Sequence, residues 1–226
     1  MKYAPSLTKS ETIQGFAWLC FQLIFLPGLL GIITYFIPMD LLQANLVYYA
    51  INLIAVTLIF RRFLLANLDI AVENPGNTLM ATLFGMGRYM IMSMLVGMII
   101  VSADPNFINL NDETLVEMAG SNLGLLAFGT IVLVPPAEEA LFRGLIFRNL
   151  IEKNKAAAYL VSSLAFAAIH IIGFLPEYTP TELFLTVLQY LPAGLCLGWA
   201  YERSGTIFSP ILIHCLVNAM GVASMR

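Results

Sequence analysis

The sequence predicts an all-α protein, a polytopic bundle of about seven transmembrane helices. Two observations support this: the composition is strongly apolar, and the apolar residues occur in long runs separated by short polar segments. The chain has 226 residues, of which 59% are hydrophobic and 11% charged, and its mean hydropathy is +0.84. Soluble domains carry about 25% charged residues, so this composition excludes an ordinary soluble domain. We expect residues 1–226 to form a single integral membrane domain.

Seven apolar runs are predicted to cross the membrane, which takes about 20 residues each. The first is an uncleaved signal-anchor helix, since it is too long for a signal peptide and no small-residue cleavage site follows it. Residues 63–82 contain an Asn-Pro-Gly-Asn turn signal and are expected in a loop or at the interface. Residues 104–121 are acidic and are expected to form an exposed loop. The spans are 13–36, 41–60, 89–103 (continuing from 85), 123–134, 156–174, 183–201 and 207–223.

Basic residues are concentrated on one side of the predicted membrane. Counting alternate loops places ten of them on one side and only Arg226 on the other. Because Lys and Arg accumulate in cytoplasmic loops, we expect the N-terminus in the cytoplasm and the C-terminus outside. The ten are Lys2, Lys9, Arg61, Arg62, Arg88, Arg143, Arg148, Lys153, Lys155 and Arg203.

The remaining polar and small residues predict packing more than chemistry. The three cysteines lie in apolar runs, which argues against a disulfide framework. No basic patch indicates nucleic-acid binding. Gly194 and Gly198 fit the small-xxx-small pattern of closely packed helices. Asn122, Gln189 and Ser209 are predicted to hydrogen-bond between helices.

Two adjacent carboxylates within an apolar run are the first indication of function. Glu138 and Glu139 follow Pro135-Pro136, and an ionised carboxylate at the bilayer centre costs about 2.5–3.5 kcal/mol. Glu139 can pair with Arg143 at i, i+4, whereas Glu138 points about 100° away and lacks a local counter-ion. We therefore predict that Glu138 is a general base. A structural ion-pair cluster at a helix end is the alternative.

The two histidines of the chain, His170 and His214, both lie within predicted spans. At a rise of about 1.5 Å per residue, both are expected near the middle of the bilayer, at the depth of Glu138. Asn218 lies at i, i+4 from His214 and therefore on the same helix face. Either histidine alone would more often be a buried residue with satisfied hydrogen bonds. Their convergence with an unpaired carboxylate favours a catalytic site.

Three short motifs resemble those of the CAAX protease and bacteriocin-processing family of intramembrane endopeptidases. The resemblance covers roughly residues 132–219, within a motif-bearing core at about 121–223, and residues 204–214 also resemble the start of the family's final helix. It implies a glutamate-type protease in a bacterial cell membrane, with an active site that opens to the cytoplasm. The motifs are Glu138-Glu139-Ala-Leu-Phe-Arg143, Phe166-x-x-x-His170 and His214-x-x-x-Asn218.

The resemblance also implies a role for each motif residue. Glu138 and His170 would activate a water for attack on a peptide bond. His214 and Asn218 would bind the oxyanion that develops. The substrate would be a peptide or protein presented at the membrane, either a CAAX-type prenyl-protein tail or a leader peptide, with the need for prenylation left open. No cofactor is expected. The residues that would orient the site are Glu139 and Arg143.

Two other interpretations stay open. A zinc-dependent metalloprotease would use Glu138, His170 and His214 as ligands, although the sequence has no His-Glu-x-x-His motif. A non-enzymatic protein is the second: an immunity or scaffold member of the same family, or a transporter whose carboxylates relay protons. A transporter would usually show an inverted repeat, and none is visible.

Overall fold

The computed structural model describes residues 3–225, and every regular element in that range is helical, which confirms the all-α prediction. Two π-helical segments, Phe128–Leu133 and Ala140–Phe147, flank α7, and a 3-10 turn, Ile172–Phe174, follows α9. The α-helices are α1 (Lys9–Ile24), α2 (Leu26–Phe36), α3 (Leu41–Ile59), α4 (Arg61–Glu73), α5 (Pro75–Ala103), α6 (Leu110–Ala127), α7 (Val134–Glu139), α8 (Arg148–Ile151), α9 (Lys155–Ile171), α10 (Pro180–Ser204) and α11 (Phe208–Ser224).

The predicted seven spans correspond to seven helical regions, of which five are long and apolar enough to cross a membrane alone. α1 and α2 make a sixth if they count as one span, but they meet at an angle of 48°. Pro27, near the start of α2, explains the bend, because proline has no N–H and its ring clashes with the preceding turn. α11 is apolar but has only 17 residues. The count of about seven is therefore roughly consistent with the structure.

Polar residues at the borders of the apolar runs start and stop the helices. α1, α3 and α10 each begin with a capping box, in which two side chains satisfy the free N–H groups of the first turn. α10 ends at Gly205, whose φ of 75° is a left-handed conformation that suits glycine. The capping pairs are Thr8–Glu11, Asp40–Gln43 and Thr179–Glu182.

The loop prediction is wrong for most of residues 104–121, which are helical. Residues 63–82 were expected in a loop or at the interface, and the loop alternative is wrong because they are also largely helical. Residues 63–73 belong to α4, and α5 begins at Pro75. α6 begins at Leu110 because the side chain of Asn109 accepts hydrogen bonds from the next backbone N–H groups. Asp112 and Glu113 lie in its first turn, where the helix dipole stabilises negative charge. The acidic residues therefore mark a helix start. α6 is interrupted at Asn122, which has non-helical φ and ψ of −162° and 99°.

Opposite ends of the bundle carry opposite charge. At the basic end, Arg62 Nη2 donates to the Ser6 carbonyl (2.9 Å) and Arg148 Nε to the Ala4 carbonyl (3.0 Å). Lys155 pairs there with Glu202 (2.6 Å). The acidic end contains the turns around residues 37–40, 104–109 and 175–179, which join helices there. The charged residues within these turns are Asp40, Asp104 and Glu177.

The predicted count of basic loop residues wrongly includes Arg143, which is fully buried in the bundle and does not lie in a loop. Arg88 and Arg148 also lie within helices, in α5 and α8, and not in loops. Lys2 and Arg226 lie outside the described residues. Within residues 3–225, the charge bias therefore rests on Lys9, Arg61, Arg62, Lys153, Lys155 and Arg203. The orientation of the bundle remains a prediction, but the segregation of charge on which it depends is present within residues 3–225.

Close packing of α9 and α10 brings two site-bearing helices together. A Cβ atom on Gly194 would lie 2.6 Å from the Ser163 side chain, and one on Gly198 would lie 3.1 Å from Phe147. The Gly194 distance leaves room for glycine only, and the Gly198 distance is tighter than an ordinary contact. Both agree with the small-xxx-small prediction. Ser209 Oγ donates to the Thr78 carbonyl on α5, as expected (3.0 Å). Asn122 instead accepts from Leu125 N in its own chain segment (3.0 Å).

Candidate active site

The helical segment that carries Glu138 and Glu139 is widened on both sides. Pro135 and Pro136 lack an N–H, so the carbonyls one turn earlier cannot form normal i→i−4 bonds. Val134 N donates instead to the Gly129 carbonyl, and Arg148 N to the Arg143 carbonyl, each at i→i−5 spacing. Such π-helical turns are rare in proteins, and those that occur are often found at functional sites. Here they leave a short, regular turn, α7, between two irregular ones.

Glu139 lies at the centre of a buried hydrogen-bond cluster. Its Oε1 accepts from Arg143 Nη1 (3.0 Å) and from His214 Nδ1 (2.9 Å). Arg143 Nη2 also donates to the Gly194 carbonyl (3.1 Å), and its guanidinium stacks over the ring of Phe166 (4.8 Å). The predicted Glu139–Arg143 pair is therefore present and joins three further helical segments. Since the side chains of the pair have no exposed surface, the cluster is a structural centre of the bundle.

Glu138 has a different environment from its neighbour. Its carboxylate faces a cavity, and the side chain keeps 19% of its surface exposed. Oε2 has no hydrogen-bond partner among residues 3–225, and the His214 Nε2 atom lies 4.0 Å from it. Because His214 uses Nδ1 to bind Glu139, its Nε2 is turned toward Glu138. The arrangement agrees with the expectation that Glu138 has no local counter-ion.

The hydrogen bonds of His170 determine which of its nitrogens is available. His170 Nδ1 lies 2.8 Å from the Phe166 carbonyl, which can only accept, so Nδ1 carries the hydrogen. The neutral ring therefore has Nε2 as an acceptor. The ring stacks on Tyr190, with centroids 4.2 Å apart. α9 and α10 together hold the imidazole at the cavity wall.

Asn218 lies on the same face of α11 as His214, as the spacing predicted. Its Nδ2 donates to the Thr130 carbonyl in the first π-helical segment (2.7 Å). The amide group has a second hydrogen that this bond does not use. Asn218 therefore carries a fixed side chain with a donor at the cavity wall.

A cavity of about 1000 Å³ connects four of the six predicted site residues. Glu139 and Arg143 do not line it and lie behind them, in the buried cluster. The cavity extends to the acidic end of the bundle, where exposed Asp112 and Ser224 line it. The four that line it are Glu138, His170, His214 and Asn218.

The end of the bundle at which the cavity opens brings two sequence-based expectations into conflict. The charge bias predicts that the acidic end faces outside, whereas the family resemblance implies a site that opens to the cytoplasm. If the acidic end faces outside, a cavity that opens at this end cannot open to the cytoplasm. If the cavity opens to the cytoplasm, the acidic end must lie there. Cysteine labelling of the two ends of the bundle distinguishes between the two expectations.

Within residues 3–225, no group of three or more His, Cys, Asp and Glu side chains is close enough to hold a metal ion. Glu138, His170 and His214 are therefore not arranged as a set of metal ligands. Chelation of the purified enzyme tests metal dependence directly.

Several contacts of the site have no strong sequence signal. The bond from His214 to Glu139 joins residues 75 positions apart, and the bond from Asn218 to the Thr130 carbonyl joins residues 88 apart. Tyr190 was not predicted at all, because a single tyrosine in an apolar span is usually core. The neighbouring Gln189 was predicted to bond between helices, and it does so with Asn109 and Asp112.

Comparison with known proteins gives an independent assignment of the same region. Residues 120–220 match the family model described as type II CAAX prenyl endopeptidase Rce1-like. The UPF0177 protein YxdF of Lactococcus lactis subsp. lactis (strain IL1403) is 30% identical over 95 residues, 42% of this chain and 47% of that protein. The UPF0177 protein YaiH of the same strain is 37% identical over 89 residues, 39% of this chain and 33% of that protein.

The resemblance drawn from the three motifs is thereby confirmed for the part of the chain that carries them. The alignments span less than half of the length of either relative. No solved structure is significantly similar to the chain.

Proposed function

We infer from the match of residues 120–220 to the Rce1-like family model of CAAX prenyl endopeptidases that this protein is an intramembrane endopeptidase. The observation that carries the inference is the contrast between the two adjacent glutamates. Glu139 is buried in hydrogen bonds to Arg143 and His214, and Glu138 faces the cavity without a partner. A carboxylate kept free of counter-ions at a cavity wall is suited to accept a proton.

The proposed reaction uses one water and no metal. Glu138 accepts a proton from the water, which His170 Nε2 also holds, and the oxygen attacks the carbonyl carbon of the peptide bond. The carbonyl oxygen gains negative charge, which Asn218 stabilises by donating its second amide hydrogen. His214 can add a hydrogen bond from Nε2 only as an imidazolium, because Glu139 holds its Nδ1–H. Glu138 then returns the proton to the leaving nitrogen as the C–N bond breaks. The hydroxyl proton of the new carboxylic acid passes to the amine, so the products are a carboxylate and an ammonium group, and the enzyme is unchanged.

Glu139 and Arg143 act in this scheme through other residues. Glu139 holds the Nδ1–H of His214, which fixes the ring orientation so that Nε2 points at the cavity. Arg143 holds Glu139 and ties it to the Gly194 carbonyl on α10. They are positioning residues, and their effect on turnover follows from the placement of His214.

The substrate that we propose is a peptide or protein segment presented at a bacterial cell membrane, either a CAAX-type tail or a leader peptide. Peptidomics of a wild-type strain and a Glu138→Gln strain is the direct test. Peptides cleaved only in the wild type would identify the substrate. A Glu117→Gln strain is the matched control, since Glu117 lies on α6 and does not line the cavity. Identical peptide profiles in the wild-type and Glu138→Gln strains would contradict the proposal.

A further inference from the structure

The cavity has a marked charge character that the proposed reaction does not explain. Two acidic residues line it, Glu138 and Asp112, and no lysine or arginine within residues 3–225 does so. Arg143 lies behind Glu139, and Arg88 lies over the ring of Trp199 (4.2 Å). A negatively charged substrate group would therefore enter a cavity with two carboxylates and without a cationic partner.

Asp112 is held in place by a chain of side-chain hydrogen bonds. Gln189 Nε2 donates to Asp112 Oδ2 (3.0 Å), and Asn109 Nδ2 donates to Gln189 Oε1 (3.1 Å). The second bond fixes the orientation of the Gln189 amide, because its oxygen must face Asn109. Asp112 Oδ1 has no hydrogen bond to any described residue and remains available to a ligand.

The same network continues to the proposed catalytic histidine. Tyr190 OH accepts hydrogen bonds from Asn111 Nδ2 (3.0 Å) and Asn109 Nδ2 (3.3 Å), and its ring stacks on His170. Asp112 is therefore joined to His170 through neighbouring residues of α6 and α10. A peptide that binds beside His170 extends past this polar wall on its way to the acidic end.

We propose that Asp112 determines substrate specificity, and that it pairs with a lysine or arginine side chain of the substrate peptide within the cavity. This rests on the proposed peptidase function and narrows its substrate to peptides with a basic residue near the cleaved bond. A charge pair inside a partly enclosed cavity contributes to selection because a like charge there is strongly disfavoured. A peptide with its free C-terminal carboxylate in this part of the cavity is disfavoured for the same reason.

Peptide binding to the Glu138→Gln protein separates this proposal from catalysis. That variant cannot consume the probe, and it leaves Asp112 as the acidic residue of the cavity wall. The probes are fluorescent apolar twelve-residue peptides with a single lysine moved along the chain, and matched peptides with norleucine or glutamate in its place. Affinity is measured by fluorescence anisotropy in detergent.

We expect lysine at one or two neighbouring positions to bind about tenfold more tightly than norleucine, and glutamate to bind more weakly than either. Asp112→Asn, which keeps the shape of the side chain, should remove the preference. Asp112→Lys should reverse it in favour of the glutamate peptide. Glu113→Gln is the control, because Glu113 is adjacent on α6, exposed, and absent from the cavity wall; it should keep the lysine preference.

The outcomes distinguish this proposal from the one on which it rests. Equal affinity for the three peptide types at all positions, a lysine preference that survives Asp112→Asn, or no binding at all would overturn the role of Asp112. Cleavage by the wild type without charge preference would overturn it too, and leave the peptidase function standing. A lysine preference that Asp112→Asn abolishes, in a wild-type protein that cleaves no peptide, would support the site and contradict the peptidase.

Discussion

The two sides of the helical segment from Val134 to Phe147 have very different surroundings. On one side, Glu139 and Arg143 have no exposed surface and bind α10 and α11. On the other side, Glu138 faces a cavity of about 1000 Å³ without a hydrogen-bond partner for its Oε2 atom. The two carboxylates are identical in chemistry and adjacent in sequence.

The difference shows how one turn of helix can separate structure from chemistry. A buried ion pair is stabilised by additional hydrogen bonds, and Glu139 Oε1 accepts two, from Arg143 and His214. Glu139 Oε2 and Arg143 Nε have no partner among residues 3–225. A general base needs a carboxylate with a free oxygen near the reacting atoms. The rotation of about 100° per residue places Glu139 on the buried side of the helix and Glu138 on the side that faces the cavity. The following predictions test this division, beginning with the largest expected effect.

Glu138→Gln should lower the rate of peptide cleavage by at least about 10³-fold, because glutamine has the same shape but cannot accept the proton. Thermal unfolding in detergent should change little, since Glu138 makes no hydrogen bond through Oε2 that the folded state would lose. Rates and melting curves of purified protein measure both quantities. Glu117→Gln should leave both unchanged. Full turnover in the Glu138→Gln protein would remove Glu138 from the mechanism.

Glu139→Gln should lower the free energy of unfolding by about 3–5 kcal/mol, because it leaves the buried Arg143 without its counter-ion. Activity should fall as well, since the neutral glutamine oxygen is a weaker acceptor for the Nδ1–H of His214 than the carboxylate is. The double variant Glu139→Gln/Arg143→Met should recover part of the stability, because no unpaired charge remains. Chemical or thermal unfolding in detergent provides the measurement. If the single variant is as stable as the wild type, the ion pair does not contribute as described.

Asn218→Ala should slow cleavage by about 10²–10³-fold, the usual loss for one oxyanion donor. The effect should fall on kcat with little change in KM, because the interaction strengthens only as charge develops. Asn149→Ala is the control, since that amide binds the Leu145 carbonyl and does not line the cavity. A loss confined to KM would assign Asn218 to substrate binding instead.

Exhaustive dialysis against strong chelators should leave the activity of the purified enzyme unchanged. The expectation follows from a reaction in which Glu138 and His170 activate water without a metal ion. Elemental analysis of active protein should find less than one equivalent of zinc. A zinc enzyme would lose activity on chelation, regain it with added zinc, and release metal on His214→Ala.

Labelling of single reporter cysteines determines which compartment the acidic end faces. These cysteines should not alter activity. In a background with Cys20, Cys196 and Cys215 replaced by serine, we compare Asp104→Cys at the acidic end with Lys153→Cys at the basic end. A membrane-impermeant maleimide should label Asp104→Cys in intact cells, because basic residues are retained in the cytoplasm. Labelling of Lys153→Cys alone would reverse the orientation and make the cavity cytoplasmic.

The sequence predicts the buried side of the segment, which carries Glu139 and Arg143, better than the side that faces the cavity. The Glu139–Arg143 pair follows from i, i+4 spacing alone, and the small residue at position 194 predicts the close approach of α10. The bond from His214 to Glu139 depends on how α11 packs against α7, which no local pattern encodes. Asn218 and His214 were placed correctly on one helix face, but the partner of Asn218, the Thr130 carbonyl, depends on the π-helical turn before the prolines.

The acidic stretch 104–121 was the least predictable part of the fold. Charge in a membrane protein usually indicates an aqueous loop, and Asp104 does lie outside a helix. Asn109 nevertheless starts α6 there, and Asp112 is bound to Gln189 on α10. Composition cannot distinguish acidic residues that solvate a loop from those that begin a helix or line a cavity, since the distinction lies in the partners.

The order in which the contacts of Arg143 become available has a consequence for how the protein enters the membrane. The bond to Glu139 spans four residues, whereas the Gly194 carbonyl follows 51 residues after Arg143 and His214 follows 75 residues after Glu139. A growing chain therefore presents the arginine to the translocon with its counter-ion already within one helical turn. The pair reduces the cost of inserting a charged helix before α10 and α11 have been synthesised. The local ion pair thus first stabilises the helix during its insertion, and later forms part of the assembled site.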